Sequence, residues 1–98
     1  MIYKLTIHPV EDIEEVRVLQ WHRAVGDTVD VDQLLVELET SKAIVEVRSK
    51  KKCFLRQIDA KAGDWTKPGP AIAWFSDGAD EALTFDSDAE LVAGYDLV

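Results

Sequence analysis

Apolar and polar residues alternate along most of this chain. Leu34-Leu35-Val36-Glu37-Leu38-Glu39 and Ala43-Ile44-Val45-Glu46-Val47-Arg48 are two such runs, separated by the short polar stretch Thr40-Ser41-Lys42. Successive side chains of an extended chain face opposite ways, so a period of two predicts strands, and two strands joined by a few polar residues predict a β-hairpin. Lys42 then stands at an exposed turn. Further strands are predicted over Tyr3–Ile7, ending at Pro9, over Glu15–His22, over Cys53–Ile58 and over Ala71–Phe75. In the second of these, Val16 and Val18 fall on one face, with Arg17, Leu19 and Trp21 on the other. Residues 10–14 read as an acidic loop, and Val25-Gly26-Asp27 and Ala62-Gly63-Asp64 as turns. Helical periodicity is missing through residue 75. Many short, closely spaced strands predict an all-β sandwich or barrel.

The pattern repeats. A shift of 37 positions places Gly26 on Gly63, Asp27 on Asp64 and Leu35 on Ile72. Self-similarity at a fixed offset marks a repeated unit, so the chain is expected to fold as two halves related by a pseudo-twofold axis. The glycines suit positions needing a positive φ, and the aspartates can bond back to the turn backbone.

Charge and composition then narrow the function. With 98 residues and 47% hydrophobic content, one domain with a modest core is expected. A net charge of −8 argues against nucleic acid as a partner, since a basic face is needed there. No apolar run approaches the roughly 18 residues of a membrane span, and the first residues lack the features of a signal peptide, so no membrane is expected. Cys53 has no partner for a disulfide within the chain, which fits a reducing compartment, and it reads as a small, inert buried side chain. His8 and His22 read as surface residues, Trp21 as mainly core, Trp74 as core if it faces inward, and Lys50-Lys51-Lys52 as a solvated turn. Phosphate-binding loops, nucleophile elbows and metal-ligand spacings are absent, so the chain reads as non-catalytic, with Lys42 its candidate for chemistry. From residue 77 to 98 the chain turns small and acidic with scattered apolar residues, and a flexible tail or linker is expected after a domain of residues 1–76.

Trp21, Val25-Gly26-Asp27-Thr28-Val29, Leu35, Glu37, Glu39-Thr40-Ser41-Lys42-Ala43, Glu46-Val47 and Gly63-Asp64, taken in register, resemble the lipoyl (biotinyl/lipoyl attachment) domain family. Gly26 lies sixteen residues before Lys42, the family's spacing, and the resemblance covers about residues 3 to 76. It implies a flattened barrel of two four-stranded antiparallel sheets, with lipoic acid in amide linkage to Lys42. It further implies a carrier that shuttles acyl groups and reducing equivalents within a 2-oxo acid or acetoin dehydrogenase complex, as part of a dihydrolipoyl acyltransferase. The implied partners are a lipoate-protein ligase or lipoyl transferase, the 2-oxo acid decarboxylase component, the acyltransferase catalytic domain and dihydrolipoamide dehydrogenase. The implied compartment is the bacterial cytoplasm or the mitochondrial matrix. Glu39, Thr40, Ser41 and Ala43 would serve recognition; the acidic loop Glu11-Asp12-Ile13-Glu14 is a weaker candidate. Gly26 joins the set, although its turn favours a structural role.

Two positions depart from the family. Ser41 stands where Asp usually precedes the lysine, which bears on which partner reads the turn, and Cys53 stands where a glycine is usual, which is expected to reshape the loop from Ser49. Two other readings compete. A biotin carrier would have methionines beside the lysine, where this chain has Ser41 and Ala43. An unmodified barrel would act only in protein interaction.

Overall fold

The computed structural model describes residues 1–8 and 13–98. Nine strands follow in chain order: β1 (Ile2–Thr6), β2 (Val16–Trp21), β3 (Thr28–Val29), β4 (Leu34–Glu39), β5 (Ile44–Ser49), β6 (Cys53–Ile58), β7 (Trp65–Thr66), β8 (Ala71–Ser76) and β9 (Ala93–Leu97). They form two antiparallel sheets, β1-β8-β6-β3 and β7-β2-β4-β5-β9. The alternation read from the sequence supplies the core: Val18, Leu38 and Val47 from one sheet meet Leu5, Leu55 and Phe75 from the other, all 2% exposed or less. Among the described residues there is no helix, and so none long and apolar enough to cross a membrane.

The 37-residue repeat is a symmetry of the hydrogen-bonding register. Arg17 lies opposite Glu39 and Phe54 opposite Ser76; the irregularity between Val18 and Gln20 recurs between Leu55 and Gln57. The two halves clasp each other through their glycine turns. Gly26 N–H donates to the Leu55 carbonyl at 2.8 Å, and Gly63 N–H donates to the Val18 carbonyl at 2.7 Å. Each turn is closed by its aspartate: the Asp27 carboxylate accepts from Ala24 N–H at 2.8 Å, and Asp64 from Lys61 N–H at 2.9 Å. The symmetry extends to the outer strands, because β1 pairs with β8 as β5 pairs with β4: Ile2 faces Ser76 where Ile44 faces Glu39.

Gly26 has φ +97°, and a Cβ there would meet nothing within 4 Å. Any cost of a side chain is therefore backbone strain rather than a clash. A left-handed conformation costs an L-residue roughly 1–2 kcal/mol, more when β-branched. Gly26→Val is expected to lower the unfolding free energy obtained from urea titration by at least that amount; an unchanged free energy would show that the turn does not need the glycine's φ.

The segment after Ser76 departs from the expectation of a flexible tail. Residues 89–91 run along the free edge of β1, with Lys4 N–H bonded to the Ala89 carbonyl and Leu91 N–H to the Lys4 carbonyl, both at 2.9 Å. β9 then pairs with the free edge of β5, setting Leu97 opposite Val45 and Tyr95 opposite Val47. The second sheet therefore has five strands rather than four. Open edges offer unsatisfied N–H and C=O groups, and the tail satisfies them on both sheets. Its apolar residues anchor it: Leu91 is 5% exposed, and Phe85 packs edge-on against Trp74 with ring centroids 5.2 Å apart. Trp74 is thus buried outside the inter-sheet core, beneath the tail, with its indole N–H donating to Asp59 at 2.9 Å. Trp21 is partly buried against the core and donates to the Ala60 carbonyl at 2.7 Å.

Other surface expectations also change. Lys50 and Lys51 are not simply solvated: their ammonium groups lie 2.6 Å from Asp32 and 3.0 Å from Asp77, and Lys51 also sits over the Tyr3 ring. His22 is half-buried, with Nε2 2.6 Å from the Glu37 carboxylate. His8 is exposed as expected. The expected strand exit at Pro9 and the Glu11 and Asp12 part of the acidic loop lie outside the described residues.

Candidate functional site

The β4–β5 hairpin closes over Thr40-Ser41-Lys42-Ala43. Two-residue hairpin turns ordinarily rely on positive φ and so on Gly or Asn. Neither Ser41 nor Lys42 takes a positive φ. Thr40 closes the turn instead. Its N–H and its hydroxyl both donate to the Ala43 carbonyl, at 2.8 and 2.9 Å, and its Oγ1 accepts from Ala43 N–H at 3.0 Å and Lys42 N–H at 3.2 Å. The turn is therefore built from the backbone of residue 42 and the side chain of residue 40. Ser41 and Lys42 are left exposed, while Thr40 and Ala43 are half-buried.

Two unlike surfaces flank this tip. On one side, Glu39, Thr40 and Ser41 border a shallow depression of about 460 Å³ together with Glu14, Glu15 and Trp65, whose indole is 63% exposed. Glu39 also pairs in register with Arg17 on β2. On the other side, Lys42 and Ala43 edge an apolar groove of about 440 Å³ whose far wall is Tyr95 and Leu97 of β9. The Tyr95 hydroxyl donates to the Thr6 carbonyl at 2.7 Å, tying the fifth strand to the opposite sheet, and burial pushes its phenol up to about 12.

The sequence-derived residues divide accordingly. Glu39, Thr40, Ser41, Lys42 and Ala43 are together at the tip. Gly26 is not; its hydrogen bonds run to Leu55 in the other sheet. The β9 residues beside Lys42 were missed, although Ala93, Tyr95 and Leu97 stand at a spacing of two in the sequence.

Cys53 opens β6 as a core residue, 1% exposed, without a positive φ. Burial pushes its thiol up, opposed by the Ser49 hydroxyl at 4.0 Å. Because the thiolate is the reactive form, Ellman's reagent is expected to leave Cys53 untouched in the native protein and to label it on unfolding. Stoichiometric labelling of the native state would place the thiol at the surface.

Lys42 is thus raised on an exposed turn, with its backbone N–H bonded to Thr40 Oγ1. Residues 8–75 match the biotin/lipoyl family described as biotin-requiring enzyme, and the chain belongs to that family. The match brackets Lys42 and stops short of β9.

Its relatives narrow the kind. Over 69 residues it is 41% identical to the dihydrolipoyllysine-residue succinyltransferase component of the 2-oxoglutarate dehydrogenase complex of Staphylococcus saprophyticus, covering 70% of this chain and 16% of that protein. Over 71 residues it is 38% identical to the dihydrolipoyllysine-residue acetyltransferase component of the pyruvate dehydrogenase complex of Corynebacterium glutamicum, covering 72% and 10%. A 39-residue stretch is 51% identical to the lipoamide acyltransferase component of the branched-chain alpha-keto acid dehydrogenase complex of Pseudomonas aeruginosa, covering 40% and 9%. The matched region is thus a small fraction of each relative.

Proposed function

We propose that this domain carries lipoic acid in amide linkage on Lys42 and serves as a non-catalytic swinging arm in a 2-oxo acid dehydrogenase complex. One observation carries the reading: in a chain of the attachment family, Lys42 occupies the outer corner of a hairpin whose closure depends on Thr40. The residues fit the group. Acylating the Lys42 amine removes a charge at an exposed position and leaves intact the bond from Lys42 N–H to Thr40 Oγ1. The relatives' names favour lipoate over biotin, as do Ser41 and Ala43 in place of flanking methionines.

When bound, the dithiolane supplies acyl transport and disulfide–dithiol exchange. The chain's own residues present it. Thr40 fixes the turn, and Glu39 and Ser41, with Glu14, Glu15 and Trp65, offer an acidic and aromatic face beside the lysine for partners to read. Those partners are a lipoate-protein ligase or lipoyl transferase, the decarboxylase, the acyltransferase catalytic domain and dihydrolipoamide dehydrogenase, in bacterial cytoplasm or mitochondrial matrix. Ser41 is the place where this face differs from an Asp-bearing tip by one negative charge.

Intact mass spectrometry after incubation with lipoate-protein ligase, ATP and lipoate tests the assignment, with biotin ligase and biotin run in parallel. One lipoyl-sized increment is expected in the first reaction and none in the second. A biotin-sized increment, or no increment in either, would overturn it.

A further inference from the structure

The apolar groove beside Lys42 has a wall that the family match does not include. β9 brings Tyr95 and Leu97 against the outer part of β5, facing Ile7, Ile13, Leu38 and Val45 across about 440 Å³. That volume is in the range of small-molecule sites, about 300–1,000 Å³. Tyr95 is fixed in place by its bond to the Thr6 carbonyl and by the His8 ring 5.5 Å away. Leu97, by contrast, is 77% exposed. The groove is therefore built, apolar, and wet along one rim.

Its other rim is Lys42 itself. An amide bearing an aliphatic chain suits such a lining, because burying its methylene groups is favourable. Acylation of Lys42 would therefore set at the mouth of the groove a chain that the groove accepts.

We propose that this groove receives the aliphatic chain and dithiolane of a lipoyl group on Lys42, so that the arm alternates between a docked position against β9 and an extended one. The inference rests on the assignment of lipoate to Lys42. A ligand shifts an equilibrium by its differential affinity for the two states, so partners that bind the extended arm draw it out, and between visits the disulfide is shielded from small thiols.

The test uses the full chain after enzymatic lipoylation, verified by intact mass. Nuclear Overhauser contacts are expected between the lipoyl methylenes and the side chains of Tyr95, Leu97 and Val45. Reduction of the dithiolane by a water-soluble phosphine is expected to be slower, by about tenfold for a docking ratio of ten to one, than in Leu97→Asp. Leu97 is exposed, so that variant keeps its fold, and Val92→Asp, on an exposed residue not lining the groove, should reduce at the wild-type rate. A lipoylated protein with no such contacts and the same rate as Leu97→Asp would overturn the docked arm while leaving the attachment standing. Failure to gain the lipoyl increment at all would overturn both.

Discussion

Lys42→Arg is expected to abolish the lipoyl increment completely while leaving the thermal midpoint almost unchanged. Acylation needs an amine that can lose a proton and attack an activated carboxyl; a guanidinium stays protonated and cannot. The variant keeps the charge, the length and the backbone N–H that Thr40 Oγ1 accepts. Surface substitutions away from special features fall within about 0.5 kcal/mol. The two readouts separate chemistry from folding: an increment persisting in Lys42→Arg would move attachment to another lysine, and a large drop in midpoint would mean that Lys42 holds the hairpin together. Thr40→Val is the complementary variant, since it removes the hydroxyl that closes the turn and leaves the lysine.

Ending the chain after Gly78 is expected to produce the largest loss of stability. It removes the five register pairs that β9 makes with β5, the buried Leu91, the Phe85 cover over Trp74 and the Tyr95 bond to Thr6. A buried leucine is worth about 1.5–3 kcal/mol and a net hydrogen bond about 1 kcal/mol. Ordering twenty residues offsets much of the remainder. A net loss of about 3 kcal/mol corresponds to a fall in midpoint on the order of 10–20 °C for a domain of this size. Amide exchange sharpens the expectation, because β5 would become an edge and its outward-facing N–H groups should lose protection. A truncated chain with the same midpoint and the same protection along Ile44–Ser49 would show that β9 contributes nothing.

Much of this architecture is legible in the sequence because the signals are local. The period of two in β4 and β5 places the hairpin, and the pairs Gly26-Asp27 and Gly63-Asp64 place the turns that relate the halves. What escapes is carried by contacts between distant segments. β9 shows its alternation at Ala93, Tyr95 and Leu97, yet nothing in the sequence says that its partner is the edge of β5, some fifty residues earlier. An acidic, low-hydrophobicity stretch reads as disordered until Phe85 and Leu91 are seen to have apolar surfaces to cover. The role of Thr40 is hidden for a different reason. A threonine in place of Gly or Asn gives no standard turn signal, and only the bond from its hydroxyl to the Ala43 carbonyl shows how the tip closes. The groove is invisible in one dimension, since its lining comes from both ends of the chain and the hairpin between them.

The pseudo-twofold register has one more consequence. The partner of the Thr40–Ala43 tip, 37 positions on, is Asp77-Gly78-Ala79-Asp80, and β1 stands to β8 as β5 stands to β4. In that half the loop joining the equivalent strands is missing: the barrel is nicked there, and the Met1 amine is held beside Glu81 at 2.5 Å and Asp77 at 3.5 Å. Ala79 takes the position equivalent to Lys42. Of the two ends related by the pseudo-twofold, one is therefore an intact hairpin bearing a lysine and the other is open and bears an alanine.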